Sequence, residues 1–487
     1  MSLYKNLFKQ TVIYGLATVL PRMISFLLNP FYVDKLPKQE FADVSIVFAW
    51  LVFFNVILSY GMETAFFRFY NSEDNKNSVV STTTISLFWT SIAFLGIALV
   101  NRKTLSDWSN IDVQYVTYTI WILTLDALVI VPFSKLRAEK RPMSYAIIKI
   151  GNVLINLGLN VFFLYLLPKL SKSNPSSFFS TIYLVNFEVG YIFVSSLIAS
   201  LVTFLVLSPI YFRVKWSFDF ILWKKMMRYG FPILVAGIAF AINEHFDKIL
   251  LEWLDVSKED IGAYAACYKI GMFMVLFRTA YTLGIEPFFF SHASNENAQQ
   301  TYATITKYFV IFGSFICFFV IAFLDLLKQP LVPNPSYWDA IKVVPLIVIA
   351  NFFLGIYTNL SVWYKLIDKT KIGAYISIIG AAVTLILNYL LIPKISYYGS
   401  AIATIAAYGS MMIISYKMGQ KKYPIPYDIN KIMTYLGVTI LFSAISFYIP
   451  YVRESYTIRI LLSGIFLYFI YYNEKEMVLK IIKRKAK

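Results

Sequence analysis

The sequence is poor in the residues from which catalytic and metal centres are usually built. It has two cysteines, Cys267 and Cys317, and two histidines, His245 and His292, in 487 residues. Both cysteines lie far apart in apolar surroundings and read as small core residues, which argues against a disulfide framework or a thiolate metal site. Two histidines are too few for a metal cluster. The chain contains no His-Glu-x-x-His, no Gly-x-Ser-x-Gly and no Gly-x-x-x-x-Gly-Lys-Ser/Thr. The expectation is therefore of no enzyme, no cofactor and no nucleotide-driven motor on this chain. Charged residues make up only 15% of the sequence, too few for so long a chain to be soluble when 58% is hydrophobic.

What the chain does have is about fourteen apolar stretches, each near the roughly 20 residues a helix needs to cross a bilayer. Residues 8–29, 41–60, 79–100 and 115–133 are the first four, and short polar breaks separate them. The first is read as a span rather than a signal peptide: it is long, ends at Asn29-Pro30 without a small-residue cleavage site, and is followed by further spans. The predicted fold class is an all-α polytopic membrane protein, with no room for a soluble domain between spans. Residues 179–207 are read as one span, which puts Glu188 in its middle.

The net charge is +17. Numbered from a cytoplasmic N-terminus, the connections on one side carry most of the Lys and Arg, including Lys135, Arg137, Lys140 and Arg141, then Arg213, Lys215, Lys224, Lys225 and Arg228. Positive loops stay in the cytoplasm, so both termini are expected there and the number of spans is even. Anchoring beside anionic lipid explains this charge; no basic fold with an aromatic platform points to nucleic acid.

The two sides of the basic connection at Ser208–Arg228 share text. Lys135-Leu136 stands ten residues before Tyr145, and Lys365-Leu366 stands ten before Tyr375. The spans that follow end in Pro168-Lys169 and Pro393-Lys394. Tyr14-Gly15 leads to Asp34-Lys35, as Tyr229-Gly230 leads to Asp247-Lys248. These echoes predict two six-helix lobes in parallel repeat, 1–210 and 211–422, with 423–487 adding two helices and a basic tail. A repeat of this kind is one of the known transporter plans, in which rocking bundles expose a shared site to each side in turn.

Charges inside spans are costly, about 2.5–3.5 kcal/mol each at mid-bilayer on insertion scales, and mark functional positions. The cations are Arg22, Lys149, Lys269 and Arg278. A cavity lined by them would draw an anionic substrate such as a phosphate or pyrophosphate; the alternative is that each pairs with a carboxylate or snorkels to the surface. The acids are Glu63, Asp126, Glu188, Glu244, Asp247 and Glu286. Glu63, Glu188, Asp247 and Glu286 are candidates for gating or ion coupling, and equally partners for the cations. Residues 243–248 form the densest polar cluster, near one end of a span, where a gate fits better than a binding site. Asn152, Asn156 and Asn160 fall on one stripe of a helix. They either bond sugar hydroxyls or glue helices together. Tyr264 and Tyr268 are candidates for stacking on sugar rings.

The stretch Asp247-Lys248-Ile249-Leu250 leading to Ile261-Gly262-Ala263-Tyr264-Ala265-Ala266-Cys267-Tyr268-Lys269-Ile270 carries a family resemblance. So do Gly355 with Asn359, and Asn388-Tyr389-Leu390-Leu391-Ile392-Pro393 before Gly399-Ser400-Ala401-Ile402-Ala403-Thr404. The chain resembles the polysaccharide (O-antigen or capsule unit) flippases of the multidrug/oligosaccharidyl-lipid/polysaccharide (MOP) exporter superfamily, over nearly its whole length. It departs from them in having Asp-Lys where Asp-Arg is commoner. The resemblance implies a MATE-like bundle of twelve core helices, often with two more. It implies movement of an undecaprenyl-pyrophosphate-linked oligosaccharide from the cytoplasmic to the periplasmic leaflet of a bacterial inner membrane. It also implies membrane lipids, and a glycan polymerase with its chain-length machinery, as partners. Related peptidoglycan-precursor flippases keep cations in their first and eighth helices, where Arg22 and Arg278 stand here. A peptidoglycan-precursor flippase, a multidrug antiporter and a membrane glycan polymerase are the alternatives.

Overall fold

A computed structural model describes residues 20, 23, 26–291, 296–367 and 369–475. They are predominantly helical, with no strand among them. The chain divides into two compact units. The first comprises Met1–Ala266, Asn334–Asp339 and Ser377–Ser400; the second comprises Cys267–Pro333, Ala340–Ile376 and Ala401–Lys487. These units follow packing, whereas the lobes 1–210 and 211–422 follow repeated text, and the latter division is carried forward as a proposal.

In the first unit, residues 26–35 are helical, followed by α1 (Lys38–Ser59), α2 (Met62–Ser72), α3 (Lys76–Val100), α4 (Arg102–Ser109) and α5 (Val113–Leu128). Next come α6 (Ile130–Ala138), α7 (Pro142–Val161), α8 (Glu188–Leu207), α9 (Phe220–His245), α10 (Asp247–Trp253) and α11 (Lys258–Tyr268). The polar breaks do two jobs: they end the apolar runs and they cap the helices. Asn75, Asp112 and Asp219 each accept a hydrogen bond from a backbone amide in the first turn of α3, α5 and α9, satisfying donors that would otherwise be orphaned in a membrane. Tyr60 and Gly61 adopt left-handed backbone, with φ of 32° and 74°. They end the apolar run 41–60 and separate α1 from α2. At that break Gly61 lies against the backbone of Gly230 in α9, so close that a Cβ on Gly61 would collide with the Gly230 carbonyl.

The second unit holds α12 (Met272–Ser291), α13 (Ala298–Ala322), α14 (Leu324–Leu331) and α15 (Val344–Leu360). Two long helices, α16 (Lys371–Ile395) and α17 (Tyr397–Lys422), carry the chain between the units. The chain ends in α18 (Ile429–Tyr448), α19 (Pro450–Glu454) and α20 (Tyr456–Asn473). α13 and α20 pack through Phe318, Phe323 and Phe466. Asp325 in α14 accepts from Arg453 at 3.0 and 3.1 Å and from Lys328 at 2.8 Å. It also lies 3.8 Å from Arg459 of α20, which is 2% exposed and donates to the Ala322 carbonyl.

Among the described residues, twelve helices are long and apolar enough to cross a membrane, and each overlaps one of the stretches read from the sequence. Of the other two, the first (8–29) falls largely outside the described residues. The last forms α20, which is interrupted by Arg459 and does not reach the hydropathy of the rest.

Glu188 differs from expectation. It stands in the first turn of α8, not in mid-span. Residues 178–182 are a separate short helix, and Asn186 takes a left-handed φ of 58° that asparagine tolerates. Leu184 and Val185 made the run look continuous, but they are exposed residues of the intervening loop. At the start of α8 the carboxylate also complements the helix dipole.

Candidate functional site

The first unit encloses a polar cavity of about 640 Å³. Its walls come from α1, α2, α5, α6, α7 and α8. It gathers Glu63, Asp126, Lys149, Asn152 and Asn156, together with Asn55 and Ser59 of α1 and Ser196, Ser200 and Thr203 of α8.

Lys149 projects from α7 with its ammonium 4.4 Å from the centre of the Phe133 ring. Asp126 and Glu63 attract it electrostatically, yet it has no direct hydrogen-bond or ion-pair partner among the described residues. Asp126 accepts from the Ser200 hydroxyl at 2.8 Å and from the side chain of Asn55. Glu63 is paired with Arg137, whose guanidinium also lies over the rings of Phe67 and Tyr145 at 4.6 and 5.4 Å. The cavity is thus nearer charge balance than a tally of intramembrane cations suggests. One ammonium is free to engage a ligand, and one carboxylate is held ready by neutral donors.

The asparagine stripe divides. Asn152 donates to the Thr203 hydroxyl and Asn156 to the Ser196 hydroxyl, each at 2.9 Å. They bridge α7 and α8 and line the cavity at once. Asn160 is fully buried, accepting from the Tyr32 hydroxyl at 3.0 Å and donating to Asn156 at 2.8 Å. It braces Asn156 rather than facing the cavity.

Asp247 and Lys248 form a buried pair at 2.8 Å, and the Tyr264 hydroxyl donates to Asp247 at 2.8 Å. Tyr264 is fully buried and stacks on Tyr397, which removes it as a platform for a sugar ring. Nearby, Asn243 donates to the Ser377 carbonyl at 3.1 Å and accepts from the Thr384 hydroxyl at 2.8 Å. The cluster at 243–248 straddles the break between α9 and α10 and ties α9 to α16.

Lys269 and Arg278 belong to the second unit. Lys269 sits in a 3-10 turn between α11 and α12, and Arg278 is half-buried in α12. In the same unit Tyr281 donates to the Asn359 amide at 2.5 Å. Arg22 lies outside the described residues. Glu286 lies in α12, with its side chain outside what is described. Among the described residues no group of three or more His, Cys, Asp or Glu is placed to hold a metal.

The α8 hydroxyls were not singled out from the sequence. Their signal was available: Ser196, Ser200 and Thr203, with Ala199, recur at the three- and four-residue spacing of one helix face.

The family model described as polysaccharide biosynthesis protein matches residues 7–291, and the MatE model matches residues 232–390. No curated protein matches the chain. Among solved structures, the lipid II flippase MurJ in an inward closed conformation is 13% identical with a TM-score of 0.73, covering 96% of this chain and 100% of its own. An inward-facing multidrug resistance MATE family transporter is 13% identical with a TM-score of 0.65, covering 87% and 99%. A MOP superfamily transporter from Pyrococcus furiosus is 14% identical with a TM-score of 0.53, covering 85% and 95%. Two carboxylates, a lysine and a set of amides and hydroxyls thus occupy the first unit of a MATE-like helical fold, and the chain belongs to the polysaccharide biosynthesis protein family.

Proposed function

We propose that this protein is a flippase for a lipid-linked oligosaccharide, moving an undecaprenyl-pyrophosphate-linked glycan unit from the cytoplasmic to the periplasmic leaflet of a bacterial inner membrane. Both termini are cytoplasmic in this reading, as the basic connections favour. The lobes 1–210 and 211–422 alternate access to the substrate, and residues 423–487 add two helices and a basic tail. With no nucleotide-binding motif on the chain, the motion is driven by an ion gradient or the membrane potential, and Asp126 and Glu63 are the carboxylates placed to sense it. Arg278, Lys269 and Arg22 supply further cationic contacts, and Glu188, Asp247 and Glu286 serve gating.

The observation that carries this reading is Lys149, a cation without a direct partner among the described residues, in a cavity otherwise lined by amides, hydroxyls and two carboxylates. An ammonium binds phosphate oxygens as a point charge, and amides and hydroxyls suit sugar hydroxyls. The name of the family points the same way. Cells lacking the protein should accumulate the lipid-linked oligosaccharide and lose the surface glycan built from it; an unchanged lipid-linked pool overturns the proposal.

A multidrug antiporter is the second reading, favoured by the two carboxylates in the same cavity. The two readings ask for pockets of different polarity, and the Pyrococcus furiosus transporter is itself described as having a binding pocket of reverse polarity that suggests a different function. Unaltered drug susceptibility on deletion would remove this alternative.

A further inference from the structure

The first unit has a second cavity, different in kind. It measures about 340 Å³, at the small end of the roughly 300–1,000 Å³ of ligand pockets. The end of α3, Leu105, Trp108 and Ser109 of α4, and facing stretches of α1 and α5 line it. Its walls are hydrocarbon and aromatic, with Trp50, Phe54, Phe94 and Trp108 prominent. The amide and hydroxyl side chains at its edge bond back to their own helices: the Asn101 amide donates to the Ile97 carbonyl at 2.8 Å, the Ser109 hydroxyl to the Leu105 carbonyl at 2.7 Å and the Thr119 hydroxyl to the Tyr115 carbonyl at 2.7 Å. Beyond the indole N–H groups of Trp50 and Trp108, the walls offer little to hold water or orient a polar ligand. The matching occupant is a hydrocarbon chain.

Two observations say which one. The rim is formed by Ile97, 66% exposed, next to Val100, 84% exposed, on a helix apolar enough to cross a membrane. The open side therefore faces lipid. Directly after the lining residue Asn101, α4 begins with Arg102 and Lys103, both exposed. A chain entering at Ile97 leaves its headgroup within reach of this cation pair.

We propose that the groove is a binding site for an anionic membrane phospholipid, one acyl chain lying along the aromatic wall formed by Trp50 and Trp108 and the phosphate resting against Arg102 and Lys103. The site shares α1 and α5 with the polar cavity: Trp50 and Leu123 face the groove, Leu51 and Ile122 the cavity. A bound chain props the same two helices that position Asp126, and stabilises the fold by mass action. The proposal stands independently of the transported substrate.

The tryptophans provide the readout. The purified protein is placed in phosphatidylcholine vesicles containing either brominated phosphatidylglycerol or the same amount of brominated phosphatidylcholine. Brominated phosphatidylglycerol should quench tryptophan fluorescence more strongly. That excess should be lost in Ala98→Phe, which fills the groove, and in the surface double variant Arg102→Gln/Lys103→Gln, which leaves its packing intact. Equal quenching by the two lipids in the unaltered protein, or an excess that persists in the double variant, overturns the proposal. So does quenching by a brominated polyprenyl phosphate where brominated phosphatidylglycerol gives no excess, since the groove would then belong to a prenyl tail.

Discussion

Lys149 survives in an apolar segment because three things offset its burial: a cavity, an aromatic face and two nearby carboxylates. Its long stem runs along apolar wall while the ammonium stays in the polar space. Replacing it with methionine keeps the stem and removes the charge. Lys149→Met should therefore abolish glycan export at normal protein levels, and Lys149→Arg should retain part of it, read as surface glycan per unit of protein. Export unchanged in Lys149→Met would remove this residue from the mechanism. Lys149, Asn152 and Asn156 were legible in the sequence because a charge and a run of amides stand out against apolar text at helical spacing. The hydroxyls opposite them were not, because serine and threonine inside helices commonly bond back to their own backbone, as Ser196 does to Ile192 and Thr203 to Ala199. Only the fold shows that they also meet the asparagines. Nor does sequence reveal that Asp247 accepts from both Lys248 and the Tyr264 hydroxyl, which braces α10 against α11.

Elements are held together by close backbone crossings and by ionic clasps at helix ends. Gly61 combines a positive φ with direct contact on the Gly230 backbone, so Gly61→Ala suffers both strain and collision. It should lower the yield and melting temperature of the purified protein markedly, by about 2 kcal/mol or more. Gly96→Ala in α3, where an added Cβ meets nothing within 4 Å, should be nearly neutral and serves as the control. At the other end of the chain, Asp325 clasps α14 to α19 and α20. Partial burial pushes its pKa up, but hydrogen bonds from Arg453 and Lys328 outweigh this and hold it at about 2, below the usual value of about 3.9. A depressed folded-state pKa means that the clasp contributes fully above about pH 4 and is lost as the pH falls towards 2. Asp325→Asn should lower the melting temperature at neutral pH, by about 1–3 kcal/mol of stability, and flatten its fall between pH 4 and 2. An unchanged acid profile would show that the clasp carries no net stabilisation. Such ends were unevenly readable in the sequence: the run through 179–207 concealed a loop at Asn186, because hydropathy reports solvent and not backbone direction, whereas the end of the run 41–60 coincides with the break at Gly61.

At the scale of the whole chain, hydropathy is the strongest signal, since a lipid solvent forces helices and tells each one how long to be. That is why twelve of the expected spans coincide with helices apolar enough to cross a membrane, and why the all-helical MATE-like fold was accessible from composition, repeat and resemblance together. Substrate identity is less accessible, because it depends on which side chains meet across helices distant in sequence. The central claim, translocation of a lipid-linked glycan, is tested most directly with purified protein in vesicles carrying a synthetic undecaprenyl-pyrophosphate-linked saccharide. A membrane-impermeant enzyme that labels the sugar reports how much substrate reaches the outer leaflet. The account predicts protein-dependent exposure of the inner-leaflet pool that falls to the background rate in Lys149→Met; exposure no faster than in protein-free vesicles, under an imposed ion gradient and membrane potential, would contradict it.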